Sequence, residues 1–198
     1  GMKAHLNVIQ QAEKKLVGYA SGARTLLSEA RKGHIHGVLG ALSTQIEVDQ
    51  EYEIAIAAAL GEYLDAVIIE TGKGTKDALT LLLKEATREA LLPLDALIPP
   101  EPLDMGGRQI PGLIGIAADL VKTRPNFRPA VDLLLGQVLV LENAAAVRQA
   151  LSSQPVGAKA VTLDGEVFFA TGQIFAGREG TPSTLSRSRQ LREDQARL

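Results

Sequence analysis

Apolar residues recur at heptad spacing near the start of the chain, at Ile9, Leu16, Ala23 and Ala30, with Ala20 and Leu27 falling between them. That a/d-like seam predicts one continuous amphipathic helix through the N-terminal segment. At the other end, Leu191 and Leu198 stand one heptad apart in a charged, helix-favouring stretch. Between the two ends the pattern changes to short apolar runs, and it repeats. "GVLGALSTQIEVDQEYEIAIAAALG" (37–61) aligns without a gap on "GLIGIAADLVKTRPNFRPAVDLLLG" (112–136), at an offset of 75 residues. Gly37, Gly40, Tyr52, Ala55 and Leu60-Gly61 fall on Gly112, Gly115, Phe127, Ala130 and Leu135-Gly136. Self-similarity of this length marks one structural unit built twice.

Each copy reads the same way. Asp49 is placed to cap a helix over 51–60, which Gly61 stops in a left-handed conformation; Gly136 ends its counterpart. Apolar runs of buried-strand type follow, "AVIIE" and "QVLVLE". A second helix is expected after each, near 75–89 and 143–152. The stretch "IPPEPLDMGGRQIPG" reads as a linker. "AVTLDGEVFFATGQIF" reads as a hairpin about Asp164-Gly165. The fold class is therefore α+β: two pseudo-symmetric mixed α/β subdomains at 35–98 and 112–178, a linker at 99–111, and helical arm segments at 1–34 and 179–198.

The length of 198 residues suits one domain or two small ones. There is no cysteine, which excludes disulfides and thiolate metal sites. No run of about 18 apolar residues marks a membrane span, and no signal-peptide pattern opens the chain. Gly1-Met2 resembles the remnant of a removed tag, and the chain is expected to be a piece of something longer. The net charge of −2 conceals an asymmetry: residues 1–36 carry +4, residues 178–198 carry +2, and the middle carries −8. Basic ends on an acidic body place any nucleic-acid contact at the ends.

Sites of chemistry are scarce. "TGKGTKDALT" (71–80) is glycine-rich but lacks the first glycine of a Walker A loop, where Val67 stands. His34 and His36 are two potential ligands without a third, so no metal site is assigned. No Ser-His-Asp constellation is evident, and no catalytic residue is assigned.

The order of motifs carries a resemblance. A helical stalk, "HGVLGAL", "YEIAIAAALG", "AVIIET", "LLPLDAL", a linker, the second copy, "AVTLDGEVFFATGQIFAG" and a second stalk resemble the hinge domain of structural maintenance of chromosomes (SMC) proteins of bacterial type. The resemblance implies a toroidal homodimer joining two coiled-coil arms, with a role in chromosome condensation and segregation. It implies no catalysis by this chain: ATP and Mg belong to head domains outside it, and kleisin-type subunits to the full-length parent. The family often has two glycine pairs after the hairpin; here Thr171-Gly172 and Ala176-Gly177 keep the second glycine of each. Ala86-Thr87-Arg88 replaces the Gly-Arg common before the "LLPLD" segment.

On this basis two edges are expected at the dimer interface: Ala66, Val67, Ile68, Ile69, Glu70 and Thr71 in the first copy, and Phe168, Phe169, Thr171, Gly172, Gln173, Ile174, Ala176 and Gly177 in the second. Weak, salt-sensitive contact with double- or single-stranded DNA is expected at the arm bases. The candidates are Lys14, Lys15, Arg24, Arg31 and Lys32 on one arm and Arg178, Arg187, Arg189 and Arg192 on the other. The expected location is cytoplasmic, at the nucleoid, with no membrane partner. A small α/β enzyme or ligand-binding protein using the cleft between the repeats is the alternative, and a coiled-coil adaptor for another protein is the third reading.

Overall fold

The structure, a computed structural model, describes residues 2–177 and 183–197, so Arg178 and Leu198 lie outside the described residues. Along the chain the elements are α1 (Met2–Lys14), α2 (Ser21–Arg31), β1 (Val38–Ala41), α3 (Leu42–Gln45), β2 (Ile46–Val48), α4 (Glu53–Leu60), β3 (Val67–Ile69), α5 (Gly72–Lys84) and β4 (Leu91–Pro93). They continue with β5 (Leu113–Ile116), β6 (Val121–Thr123), α6 (Arg128–Leu135), β7 (Val138–Leu141), α7 (Val147–Leu151), β8 (Lys159–Thr162), β9 (Val167–Phe169), β10 (Ile174–Phe175) and α8 (Thr184–Ala196). The repeat is visible at the level of elements. β1 and β5, β2 and β6, and α4 and α6 each begin and end 75 residues apart.

The chain divides into two compact units, unit 1 from the segments 1–45, 62–96 and 181–198, and unit 2 from 46–61 and 97–180. In unit 1 the sheet order is β1-β3-β4, with β3 antiparallel to β1 and parallel to β4. Its core gathers Leu26 and Leu27 of α2, Ile35 of the connection that follows, Val67 and Ile69 of the sheet and Leu82 of α5. In unit 2 the order is β10-β9-β8-β7-β5, with a separate β2–β6 pair. The predicted hairpin is present as β8 and β9, paired antiparallel around the Asp164-Gly165 turn.

Several local expectations need correction. The N-terminal seam does not form one helix; it breaks between α1 and α2. Leu16 has a φ of +54° and Gly18 of +87°, and the Val17 amide bonds back to the Ala12 carbonyl at 2.9 Å, the reversal that closes a helix with a left-handed residue. The break turns Leu16 and Tyr19 into the core of unit 1, so burial there replaces the straight heptad seam. Asp49 precedes a 3-10 turn, Gln50–Tyr52, that leads into α4, and its side chain makes no capping bond. Gly61 closes α4 with a positive φ, whereas Gly136 ends α6 in right-handed geometry. The helix expected near 143–152 is a short 3-10 turn capped by Asn143, followed by α7. The proline-rich stretch after β4 is no free tether, since Leu103 and Ile110 are buried in the core of unit 2.

Candidate self-association edges and the arm root

Strand position decides which backbone groups are free. β3 is the middle strand of its sheet, hydrogen-bonded to β1 on one side and β4 on the other. Ala66, Val67, Ile68 and Ile69 are fully buried. The expectation that 66–71 forms an open edge is therefore corrected: only Glu70 and Thr71 of that segment are exposed. An all-apolar run with both faces covered belongs inside a sheet, and that signal was present in the sequence.

The edges of unit 1 are instead β1 and β4. β1 carries an irregularity between Val38 and Gly40, and β5, its counterpart in unit 2, carries the same one between Leu113 and Gly115. Bulges of this kind blunt an edge against further pairing. β4 has none. The Ala90 carbonyl accepts from Val67 N and the Leu94 amide donates to the Ile69 carbonyl, so positions 90, 92 and 94 face β3. Leu91 then presents its N–H and C=O outward, and Pro93 its C=O alone. Proline lacks an N–H, so it suits an edge position that β3 does not use.

In unit 2 the unbulged edge is β10, which pairs with β9 alone through Ile174 opposite Phe168 and Phe175 opposite Val167. The Phe169 amide donates to the Gln173 carbonyl at 2.9 Å, so by alternation the Ile174 N–H and C=O point away from β9. Ile174 is 58% exposed and Phe175 69% exposed. Phe175 meets Phe169 edge-on at 5.9 Å, and the Lys159 ammonium lies 5.8 Å from the centre of the Phe169 ring. The same ammonium donates to the Ala59 carbonyl at 2.6 Å, and burial holds the lysine below its ordinary range. Gly172 and Gly177 both have a φ of +106°, with open space where a Cβ would stand. Their requirement is conformational: they turn the chain at each end of β10. Thr171 and Ala176 are exposed, and the Thr171 hydroxyl donates to the Gln173 side chain.

At the arm root, α1 and α8 pack antiparallel, His5 lying near Asp194 and Glu13 near Arg187. Lys14, Lys15 and Arg24 are exposed and form no ion pair among the described residues. Arg31 donates to the Lys14 carbonyl at 2.7 Å, and Lys32 pairs with Glu29 at 2.7 Å. Arg189 binds Glu193 through both carboxylate oxygens at 2.9 Å. Arg187 donates to the Val17 carbonyl, and Arg192 is half-buried. The expected basic cluster is thus split between exposed cations on the N-terminal arm and internally engaged ones on α8.

Other candidates resolve simply. The Gly72 amide at the start of α5 is taken by the Asp95 carboxylate at 2.9 Å, which fills the place a phosphate would need. Among the described residues no group of three or more His, Asp or Glu side chains could hold a metal, and no helix is long and apolar enough to cross a membrane.

The chain is 28% identical over 196 residues to the chromosome partition protein Smc of Halothermothrix orenii and 31% identical over 196 residues to that of Myxococcus xanthus. Each alignment covers 96% of this chain and 16% of the relative, so the chain spans about one sixth of their length. Among solved structures, an asymmetric dimer of the Geobacillus stearothermophilus SMC hinge domain superposes with a TM-score of 0.89 at 27% identity, over 99% of this chain and 80% of that one. The Pyrococcus furiosus SMC hinge domain shares the fold, with a TM-score of 0.65 at 24% identity over 92% of this chain and 93% of that one. The family model for the flexible hinge domain of SMC proteins matches residues 35–150, and the chain belongs to that family.

Proposed function

We propose that this chain is the homodimerisation hinge of a bacterial SMC protein, and that β10 of one copy pairs with β4 of its mate. One observation carries the reading: among the described residues, the larger sheet of each unit has one edge strand without a bulge, β4 in unit 1 and β10 in unit 2. The repeat supports the choice of β4. Its counterpart is β8, since β4 lies parallel to β3 as β8 lies parallel to β7. In unit 2 the far side of β8 is filled by β9; in unit 1 no strand among the described residues pairs with the equivalent side of β4. A strand from a second copy completes it through the Leu91 N–H and C=O and the Pro93 C=O. Two such contacts about a twofold axis close a ring and leave neither edge exposed.

In this reading the work is mechanical. The hinge joins two coiled-coil arms whose roots are α1 and α8, catalyses nothing, and leaves ATP hydrolysis and kleisin-type partners to the rest of the parent protein at the nucleoid. Lys14, Lys15 and Arg24 supply phosphate contacts for DNA at the arm root. The resemblance to Smc chromosome partition proteins supports a role in chromosome organisation and segregation.

The test is molar mass in solution by sedimentation across a wide dilution range. The native chain is expected at twice its own mass. Ile174→Pro, which removes the outward N–H of β10, is expected at the monomer mass with its circular dichroism unchanged. A monomeric native chain, or a dimer indifferent to Ile174→Pro, overturns the proposed pairing.

A further inference from the structure

A buried polar cluster joins four separate parts of unit 1 where the arms begin. Asp65 ends the 3-10 turn Gly61–Asp65, just ahead of β3. Its Oδ1 accepts the Ser43 hydroxyl of α3 at 3.0 Å and the hydroxyl of Thr184, the first residue of α8. One turn further along α8, Arg187 reaches the break between α1 and α2. There Nη1 donates to the Val17 carbonyl and lies 3.8 Å from Glu13 Oε2, while Glu13 Oε1 accepts the Tyr19 hydroxyl at 2.6 Å. The break leaves carbonyls at the end of α1 without helical donors, and Arg187 supplies one from the other arm. Gly18 makes room for it: a Cβ there would lie 2.9 Å from Arg187 Nη2.

We infer that Asp65, Thr184 and Arg187 form a latch that fixes the direction in which the paired arm helices leave unit 1, with Arg187 acting as a positioning residue for the arms and not as a DNA contact. The inference rests on the reading of α1 and α8 as arm roots. Side-chain hydrogen bonds tie α8 at two points one turn apart, to the body through Asp65 and to the other arm through Arg187, on either side of the buried Leu185. Two contacts fix a direction where one would leave a pivot. The composition points the same way. Two largely buried carboxylates stand here, Asp65 held by two hydroxyls and Glu13 facing the Arg187 guanidinium at 3.8 Å, an arrangement weaker in stability than apolar packing of the same volume. Burial pushes the Asp65 carboxyl up against the hydrogen bonds from Thr184 and Ser43, so the site bears that cost. What the polar groups add over an apolar core is directional bonding.

The chain has no cysteine, so spin labels can be placed on introduced ones alone. One pair, at Gln190→Cys on α8 and Asp77→Cys on α5, reports the arm against the body. A second, at Glu62→Cys and Asp77→Cys, reports the body itself. Labelled chain is diluted into unlabelled chain so that distances are read within one copy. A narrow distance distribution is expected for the native arm pair. Thr184→Val and Arg187→Met are each expected to broaden or shift it while the body pair stays unchanged, and Thr184→Ser is expected to restore the native distribution. If both variants lower thermal stability but leave the arm distribution as narrow as in the native chain, the cluster is a structural contact only and the latch is refuted. The molar mass measured for the same samples tests the dimer reading separately.

Discussion

Phe175→Ala is expected to weaken self-association by about three orders of magnitude. Phe175 is 69% exposed on the open edge strand. A phenylalanine presents roughly 200 Å² for burial, so about 140 Å² of it remains available to a partner. At about 25 cal/mol per Å² the full burial contributes about 3.5 kcal/mol, and truncation to alanine removes about 2 kcal/mol of that. Twofold symmetry places the residue in both contacts of the ring, so the dimer loses about 4 kcal/mol, or close to a thousandfold in Kd at 1.4 kcal/mol per decade. The monomer loses less: the edge-on contact with Phe169, 5.9 Å between centroids, contributes about 1 kcal/mol. Sedimentation velocity over a wide concentration series reads the first effect, and thermal unfolding of the diluted monomer reads the second. A Kd within a few-fold of the native value, with the expected small fall in monomer Tm, would refute the assignment of β10 to the interface.

Four further outcomes follow from the same geometry. Gly22 lies within α2, and an alanine Cβ there would stand 2.3 Å from the Arg88 carbonyl oxygen and 2.8 Å from Glu89 Cβ. The gain of about 1 kcal/mol in helix propensity is outweighed by overpacking of about 1–3 kcal/mol against backbone, so Gly22→Ala should lower Tm by a few degrees. Gly72→Ala, whose nearest neighbour is Asp95 Oδ2 at 3.8 Å, should raise it slightly; the opposite signs check the packing. Tyr19→Phe should cost about 1.5–3 kcal/mol at neutral pH, because it removes a hydrogen bond to a carboxylate. Burial, then the Glu13 hydrogen bond, raise the Tyr19 phenol above its ordinary value of 10.0. Its stabilisation is therefore complete below that value and lost as pH rises beyond it, so the difference between native and Tyr19→Phe stability should shrink in alkaline denaturation curves. Replacing Lys14, Lys15 and Arg24 by alanine should reduce the salt slope of duplex DNA binding by up to about 3, at about 0.9 per phosphate contact, while leaving molar mass unchanged; an unaltered slope in fluorescence anisotropy would remove these residues from the DNA contact.

Local and repeated features were legible in the sequence, and features made by distant segments were not. The repeat located α4 and its counterpart α6 and marked the segments that hold β1, β2, β5 and β6, because glycines and apolar residues at fixed spacing survive as a pattern. The second edge was legible in part: of the segment 168–177 read as one edge, Ile174 and Phe175 form the edge strand β10, whereas Phe168 and Phe169 lie in β9, paired with β8 on one side and β10 on the other. β3 was misplaced because the strand that covers its far side, β4, follows 13 helical residues of α5 and contains a proline. Yet Val67–Ile69, apolar on both faces, already carried the mark of a central strand. The break after α1 had a visible sign in Gly18, outweighed by the heptad seam around it. The Asp65–Thr184 contact joins residues 119 apart, and nothing in either neighbourhood announces it.

The register of the β2–β6 pair has a symmetry of its own. Glu47 faces Lys122, and those positions are themselves separated by the repeat spacing, so the two strands cross about a local twofold at that pair. A strand that pairs with its own copy needs no second gene. A single-repeat chain would already encode both sides of this contact, and duplication with fusion would preserve it. Fusion also removes a restriction. In a symmetric pair of separate chains the residue on the axis must face itself, and a charged one would meet its like. Within one chain the two positions diverge independently, so an acid now stands opposite a base, as selection on one gene permits and exact symmetry forbids.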